Sequence, residues 1–446
     1  MTTETKDSGV KWIGTVPADW EINKIKYIAS LKGRIGWQGL TSEEYTDEGA
    51  YLITGVDFEN GGINWDSCVH VPMHRWEEAR DIQIEDGDLL ITKDGTIGKV
   101  AIVSGCTAPT SLNSGVLRIS TIDGYDRKFL YWVLQSDVFW TWFVDKNVGN
   151  STIQHLYQGD FAEFKYAMPS VGEQQSIATF LETECAKIDS IIDDLEQQIE
   201  VLKAYRMSVI TESVTHGVEL NNVEMKKCAG EWPGMIPAHW EVKRLKYICD
   251  LITDGSHFSP DTTYEGFPYI TAADVHGVGL DYDTAKKISE TDFKMLEKTG
   301  CRPQKDDVLI VKDGATTGRV GFVTSDEPCV VLSSVAILRG NKSLNNKYLM
   351  YLMESEYMQS QIRVSMAGSA MPRTILAKIV NYYGLLCPLS EQKGIVKFLD
   401  KKCQQIDAVV LDKQVQLNKI LSHKQSLIYE YVTGKKRVKE VTSHAN

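Results

Sequence analysis

The sequence predicts an α+β protein, built as two mixed α/β domains separated by two long antiparallel helices in a coiled coil, with a pseudo-twofold internal repeat. Three observations carry this expectation. The chain of 446 residues repeats itself: WIGTVPADWEINKIKYI at 12–28 returns as WPGMIPAHWEVKRLKYI at 232–248, an offset of 220 with nine of seventeen positions identical. Two proline-free tracts, 172–215 and 390–432, carry apolar residues at helical spacing. Short apolar runs bounded by Gly, Asp and Pro fill the stretches before each tract.

The first mixed region covers about 12–168. Its β-type runs are DLLITKDG, KVAIVS and GVLRIS, and FLYWVLQSDVFWTWF reads as helix. The tract that follows places Ile177, Leu181, Ile188, Ile192, Leu195, Ile199 and Leu202 on one stripe, and from Ile188 onward the spacing of 4, 3, 4, 3 is a coiled-coil seam. A tract of about 40 residues at ~1.5 Å each gives a rod of roughly 60 Å. The second mixed region, about 232–387, repeats the first: ITKDGTIGKV matches IVKDGATTGRV, and LNSGVLRI matches LSSVAILRG. The second tract keeps the phase with Ile395, Leu399, Ile406, Val410, Leu417 and Ile420, Lys413 interrupting. PSVGEQQSIATFL matches PLSEQKGIVKFL at the helix starts, and ITESVTHG matches IYEYVTGK at the ends.

Charge suggests which helix meets which. The net charge is −12, divided as −9 over 1–171, −6 over 172–216, −2 over 217–390 and +5 over 391–440. The two tracts should attract each other and repel copies of themselves, so they are expected to pair within one chain, antiparallel if the repeats are related by a twofold-like operation. The mixed regions are acidic, so any DNA-facing surface must be a local basic patch.

Several function classes are disfavoured. No run approaches the roughly 18–20 apolar residues of a membrane span, and MTTETKDSGVK does not read as a signal peptide. Nine scattered cysteines without CxxC spacing fit a reducing cytoplasm and offer no structural zinc site. The nine histidines are isolated, and neither a GxxxxGK[ST] phosphate loop, a GxSxG elbow nor a [DNS]-P-P-[YFW] methyltransferase loop is present. No catalytic residue, metal site or cofactor site is expected on this chain.

Order and duplication of the soft motifs W…G.VP..WE..K (12–26, 232–246), P…EQ (169–174, 388–392) and V-T-(x)-G (214–217, 432–434) resemble the specificity subunit of type I restriction–modification systems. GRIGWQGLTSEEY…GAYLITGVDF (33–58) and TDGSHFSP…YEGFPYITAADV (253–275) resemble that family's entry loops for target recognition. The resemblance spans nearly the whole chain. It implies target-recognition domains over 1–170 and 218–388, with spacer helices over 171–217 and 389–446. It also implies a noncatalytic, cytoplasmic reader of double-stranded DNA with a bipartite asymmetric site. Two adenine-N6 methyltransferase subunits would dock on the chain and recruit the restriction–translocase subunits, and S-adenosylmethionine, ATP and Mg²⁺ would belong to those partners.

Base and phosphate contacts are expected on polar loops held by a rigid frame. In the first domain the candidates are Arg34, Trp37, Gln38, Lys93, Thr96, Lys99, Asn113 and Ser114; in the second they are Ser256, His257, Lys312, Thr316, Arg319, Ser333 and Ser334. Arg, Gln and Asn suit bidentate base-edge contacts, whereas Lys, Ser and Thr suit phosphates. The plain alternatives are turns at Asp94-Gly95 and Asp313-Gly314, and core packing for Trp37 and for Trp12, Trp20, Trp232 and Trp240. A different functional class, an acidic assembly or decoy protein that binds the methyltransferase without DNA, is motivated by the net charge. Cations recurring at equivalent positions (Lys93/Lys312, Lys99/Arg319, Arg118/Arg339) weigh against it.

Overall fold

The computed structural model describes residues 4–34, 40–147, 154–218, 223–228, 234–263, 265–366 and 372–438. It is a mixed α/β chain with eleven α-helices among the described residues, two of them long. The chain divides into two compact units, 1–195 with 416–446, and 196–415. Each unit therefore takes a mixed domain plus one half of each long helix.

In the first unit, the apolar run at Leu89–Thr92 is buried throughout and becomes an inner strand. Val100–Ile102 and Val116–Thr121 flank it, and Ala29–Gly33 extends the sheet beyond Val116–Thr121; every pairing is antiparallel. A second sheet joins Thr110–Leu112, Ala50–Ile53 and Val69–Val71. The aromatic segment expected to be one helix is two, Arg127–Gln135 and Asp137–Asn147. Ser136 breaks it: its extended backbone and its hydroxyl, which accepts from Val138 N at 3.3 Å, start a new helix. Phe129, Phe139, Trp142, Phe161 and Phe164 are buried in the core beneath.

The second unit repeats the plan with additions. Val308–Val311 lies inside a five-stranded sheet with Cys249–Asp254, Val335–Gly340, Val320–Phe322 and Gly277–Val278. A further sheet carries the helix Glu290–Lys298, whose N-cap Ser289 accepts from Asp292 N at 3.1 Å. The helices Asn346–Glu354 and Glu356–Met366 correspond to the aromatic pair of the first unit.

The long helices run Val171–His216 and Leu389–Val432. Within the first unit their segments are antiparallel neighbours, Phe180 against Tyr431 with ring centroids 4.4 Å apart and Asp189 against Lys424 at 2.5 Å. There Ile188, Leu195 and Leu417 are buried, and Ile192 and Ile420 are partly covered. Within the second unit Arg206 meets Asp407 at 3.0 Å, Ile199 and Ile406 are buried, and Leu202 and Val410 are partly covered.

The duplicated motifs make duplicated contacts. Glu173 accepts from the buried Trp20 indole at 3.1 Å, and Glu391 accepts from Trp240 at 2.9 Å. Gln174 Oε1 accepts from Asp126 N at 2.8 Å, and Gln392 Oε1 from Asn345 N at 2.7 Å; Asp126 and Asn345 are themselves the N-caps of the following short helices. The EQ pair thus ties each long-helix start to its mixed domain. Each V-T-(x)-G ending also closes on a tryptophan. Gly217 and Gly434 have positive φ, and a Cβ at Gly434 would lie 2.4 Å from Pro17, so glycine lets the backbone turn and approach. Trp12 is half-buried and Trp232 lies outside the described residues.

No helix among the described residues is long and apolar enough to cross a membrane, and all nine cysteines are free thiols.

Candidate nucleic-acid interface

In the first unit the KDG turn follows the buried strand Leu89–Thr92. Lys93 N donates to Gly115 O at 2.8 Å, and Lys93 O accepts from Leu156 N at 3.0 Å. These bonds bring the KDG turn, the 113–115 turn and the segment around His155 to one end of the sheet. Gly95 has a φ of 70° and open space around its Cα, so the turn reading holds for this dipeptide. Lys93 is half-buried, and its ammonium has no carboxylate partner among the described residues. Thr96, Lys99 and Ser114 are exposed. Thr96 Oγ1 donates to Gly55 O at 3.0 Å, Lys99 reaches Phe58 O at 3.5 Å, and Asn113 donates to Tyr45 Oη at 3.3 Å while accepting from Ser114 at 2.9 Å. Asp94 is held by His155 at 2.5 Å.

Arg34 points the other way. It is buried, with Nε donating to Leu112 O and Nη2 to Ser111 Oγ, both at 2.8 Å, and burial pulls its pKa below the usual guanidinium range. It braces the sheet end in this conformation instead of presenting a free fork. Trp37 and Gln38 lie outside the described residues.

The second unit builds the same junction with different chemistry. Lys312 N donates to Ser334 O at 2.8 Å, Lys312 O accepts from Thr374 N at 2.9 Å, and Ser333 N donates to Ser256 O at 2.9 Å. Gly255 permits this closeness, because a Cβ there would sit 2.0 Å from Val331 O. Lys312, expected at the surface, is buried: its ammonium lies 3.2 Å from Asp254 and 3.5 Å from Asp313. Asp313 also receives Arg373 at 2.8 Å. Ser256 is buried too, its hydroxyl donating to Phe258 O and accepting from Phe258 N. The Ser334 hydroxyl is buried with no partner among the described residues. His257 is exposed, 3.5 Å from Asp254. Thr316 and Arg319 are half-buried, and Arg319 reaches Val275 O at 3.5 Å.

The equivalent lysines differ in their neighbours: Asp254, at the end of its strand, neutralises Lys312, whereas the stretch that follows Arg34 in the first unit, 35–39, lies outside the described residues. Arg118 and Arg339 are half-buried and paired inward: Arg118 lies 3.1 Å from the buried Asp88, and Arg339 makes bonds of 2.7 and 2.8 Å to the buried Asp307. They brace the sheets.

His155 and Arg373, absent from the sequence-based candidates, hold the two KDG carboxylates. Their only sequence signal is a cation shortly before an apolar residue (HLY, RTI), which is too thin to single out. No group of three or more metal-ligating side chains occurs among the described residues.

A family model for the type I restriction modification DNA specificity domain matches twice, over residues 17–201 and 237–419. The type I restriction enzyme MjaVIII specificity subunit of Methanocaldococcus jannaschii is 24% identical over 446 residues, covering 96% of this chain and 95% of its own. The EcoBI specificity subunit of Escherichia coli is 25% identical over 78% of this chain and 73% of its own. Among solved structures, a chain from work on complex assembly and conformational transition of the type I R-M system superposes with a TM-score of 0.65 at 15% identity, covering 94% of this chain and 99% of that one.

Proposed function

Because this chain belongs to the type I restriction modification DNA specificity family, we propose that it is the noncatalytic subunit that reads a two-part DNA site for a methyltransferase–endonuclease complex. Residues 1–170 and 218–388 each act as a target-recognition domain for one half-site. The helical segments 171–217 and 389–446 act as an antiparallel coiled-coil ruler with pseudo-twofold character and as rails for two methyltransferase subunits. Restriction subunits join through those partners, which also bring S-adenosylmethionine, ATP and Mg²⁺.

The observation that carries this reading is the pair of unlike KDG junctions on a like frame. In the first domain Lys93 has no carboxylate partner among the described residues, and Thr96, Lys99 and Ser114 are exposed beside it. In the second, Lys312 is neutralised inside and exposed His257 takes the outer position. Two frames of the same design with different outer chemistry suit two different half-sites. Free cations on one loop face favour phosphate contacts over an acidic decoy. Trp37, Gln38, Asn113, Thr316, Arg319 and Ser333 complete the proposed reading set, with Arg34, Ser256, Lys312 and Ser334 supporting it from within.

The test is footprinting of the chain reconstituted with its methyltransferase, repeated over a salt series. Protection of two separated, dissimilar half-sites with a steep loss of affinity as salt rises supports the reading. Salt-independent binding, or assembly without any protected DNA, overturns it.

A further inference from the structure

One turn recurs in both units with an apolar tip. In the first unit the strand Ala50–Ile53 runs into the turn 54–57. The buried Asp57 accepts from Thr54 N at 2.7 Å, from the Thr54 hydroxyl at 2.9 Å and from Ser67 Oγ at 2.8 Å. In the second unit the strand Phe267–Ile270 runs into the turn 271–274, where the buried Asp274 accepts from Thr271 N at 2.8 Å and from its hydroxyl at 2.7 Å. Ile53 O accepts from Asn113 N at 2.9 Å and Ile270 O from Leu332 N at 2.8 Å, so each turn leaves its sheet at the end that carries the KDG junction. In the first unit the turn and the junction are bonded directly: Thr96 Oγ1, next to the KDG turn, donates to Gly55 O at 3.0 Å. The tips are Gly55-Val56 and Ala272-Ala273, whose side chains neither donate nor accept a hydrogen bond. A single exposed valine is ordinary on a protein surface. Val56, however, is 75% exposed on a turn fixed to the very loop proposed to meet DNA. Its side chain cannot pair with a phosphate or with a polar base edge. The apolar group that a base pair shows in the major groove is the thymine C5-methyl.

We propose that Val56 selects a thymine in the half-site of the first domain by packing its methyl groups against the C5-methyl of that base. The assignment rests on the DNA-reading function above and names one base-edge contact within it.

The test uses the full chain assembled with its methyltransferase and duplexes of the site that the complex methylates. Each thymine in turn is replaced by deoxyuridine, which removes the C5-methyl and keeps every hydrogen-bonding group. One thymine in one half-site is expected to bind about fourfold more weakly as deoxyuridine, the effect of one methyl withdrawn from an apolar contact. Val56→Ala should weaken binding to the thymine duplex by a similar factor and abolish the difference between thymine and deoxyuridine at that position alone. Its denaturation midpoint should match that of the native chain, because Val56 is exposed. Deoxyuridine without effect at every thymine overturns the assignment while DNA reading stands. So does a Val56→Ala loss that is equal for thymine and deoxyuridine duplexes. Weakened methyltransferase assembly with base discrimination intact overturns it too, and would make Val56 a protein contact. Absence of any protected DNA with the native complex would instead overturn the reading on which the assignment rests.

Discussion

The indole Nε1 of Trp20 lies 3.1 Å from Glu173 Oε2, across 153 residues of sequence. The same bond recurs between Trp240 and Glu391 at 2.9 Å. One member of each pair opens a mixed domain and the other opens the long helix that follows it. The bond therefore fixes the angle at which each helix leaves its domain, and rigid elements hold a reading face more accurately than loops do.

Removing this bond should be costly. Glu173→Ala leaves the buried indole without its acceptor and takes one of two carboxylates from Arg437, which keeps Asp19, and a destabilisation of about 1.5–3 kcal/mol is expected by chemical denaturation. Glu182→Ala, which breaks only the exposed pair with Lys128, should change stability by less than about 1 kcal/mol. Equal effects would contradict the structural role given to Glu173.

The equivalent lysines should respond differently. Lys93→Ala is expected to leave stability within about 0.5 kcal/mol while lowering DNA affinity and the salt slope by about one unit. Lys312→Ala removes the buried cation beside Asp254, while Asp313 keeps Arg373, and should destabilise the chain by about 3 kcal/mol. Denaturation midpoints beside salt-titrated binding separate the two outcomes.

Arg206 sits between Glu354 at 3.2 Å and Asp407 at 3.0 Å. Burial raises the Glu354 carboxyl above its usual value against the pull of Arg206. Arg206→Ala should therefore be strongly destabilising, and Glu354→Gln should restore part of the loss. A carboxyl with a raised folded-state pKa binds its proton more tightly in the native state. The variant should accordingly gain relative stability as pH falls through that pKa, a trend visible in denaturation curves between neutral and mildly acidic pH.

Glu163 behaves in the opposite sense. Hydrogen bonds from Lys24 and Lys26 lower its pKa from 4.5 to about 2. Its contribution is present above the unfolded value and is lost as pH falls from about 4.5 through about 2. The stability gap between the native chain and Glu163→Gln should shrink over that window. A gap that widens on acidification would show that the lysines do not hold the carboxylate.

The frame was legible in the sequence because the repeat marks it twice. Tryptophan, the EQ pair and the V-T-(x)-G ending stand at matching offsets, and their contacts are matched in the two units. The long helices were legible from the absence of proline and the apolar spacing. The loop chemistry was not, because burial there depends on strand register. KDG reads the same in both copies, yet Lys312 is buried against Asp254 while Lys93 is half-buried with no carboxylate partner among the described residues. The burial of Arg34 was hidden for a similar reason: a polar-loop arginine turns inward when Leu112 and Ser111 present acceptors. The break at Ser136 was missed because aromatic periodicity continues through it.

The central claim is that the two domains read separate half-sites. Its most direct measurement replaces residues 30–165 with the matching stretch of a relative of different specificity and maps adenine methylation across a host genome. The account predicts a new sequence in one half of the methylated site and an unchanged other half. Alteration of both halves, or of neither, would contradict it.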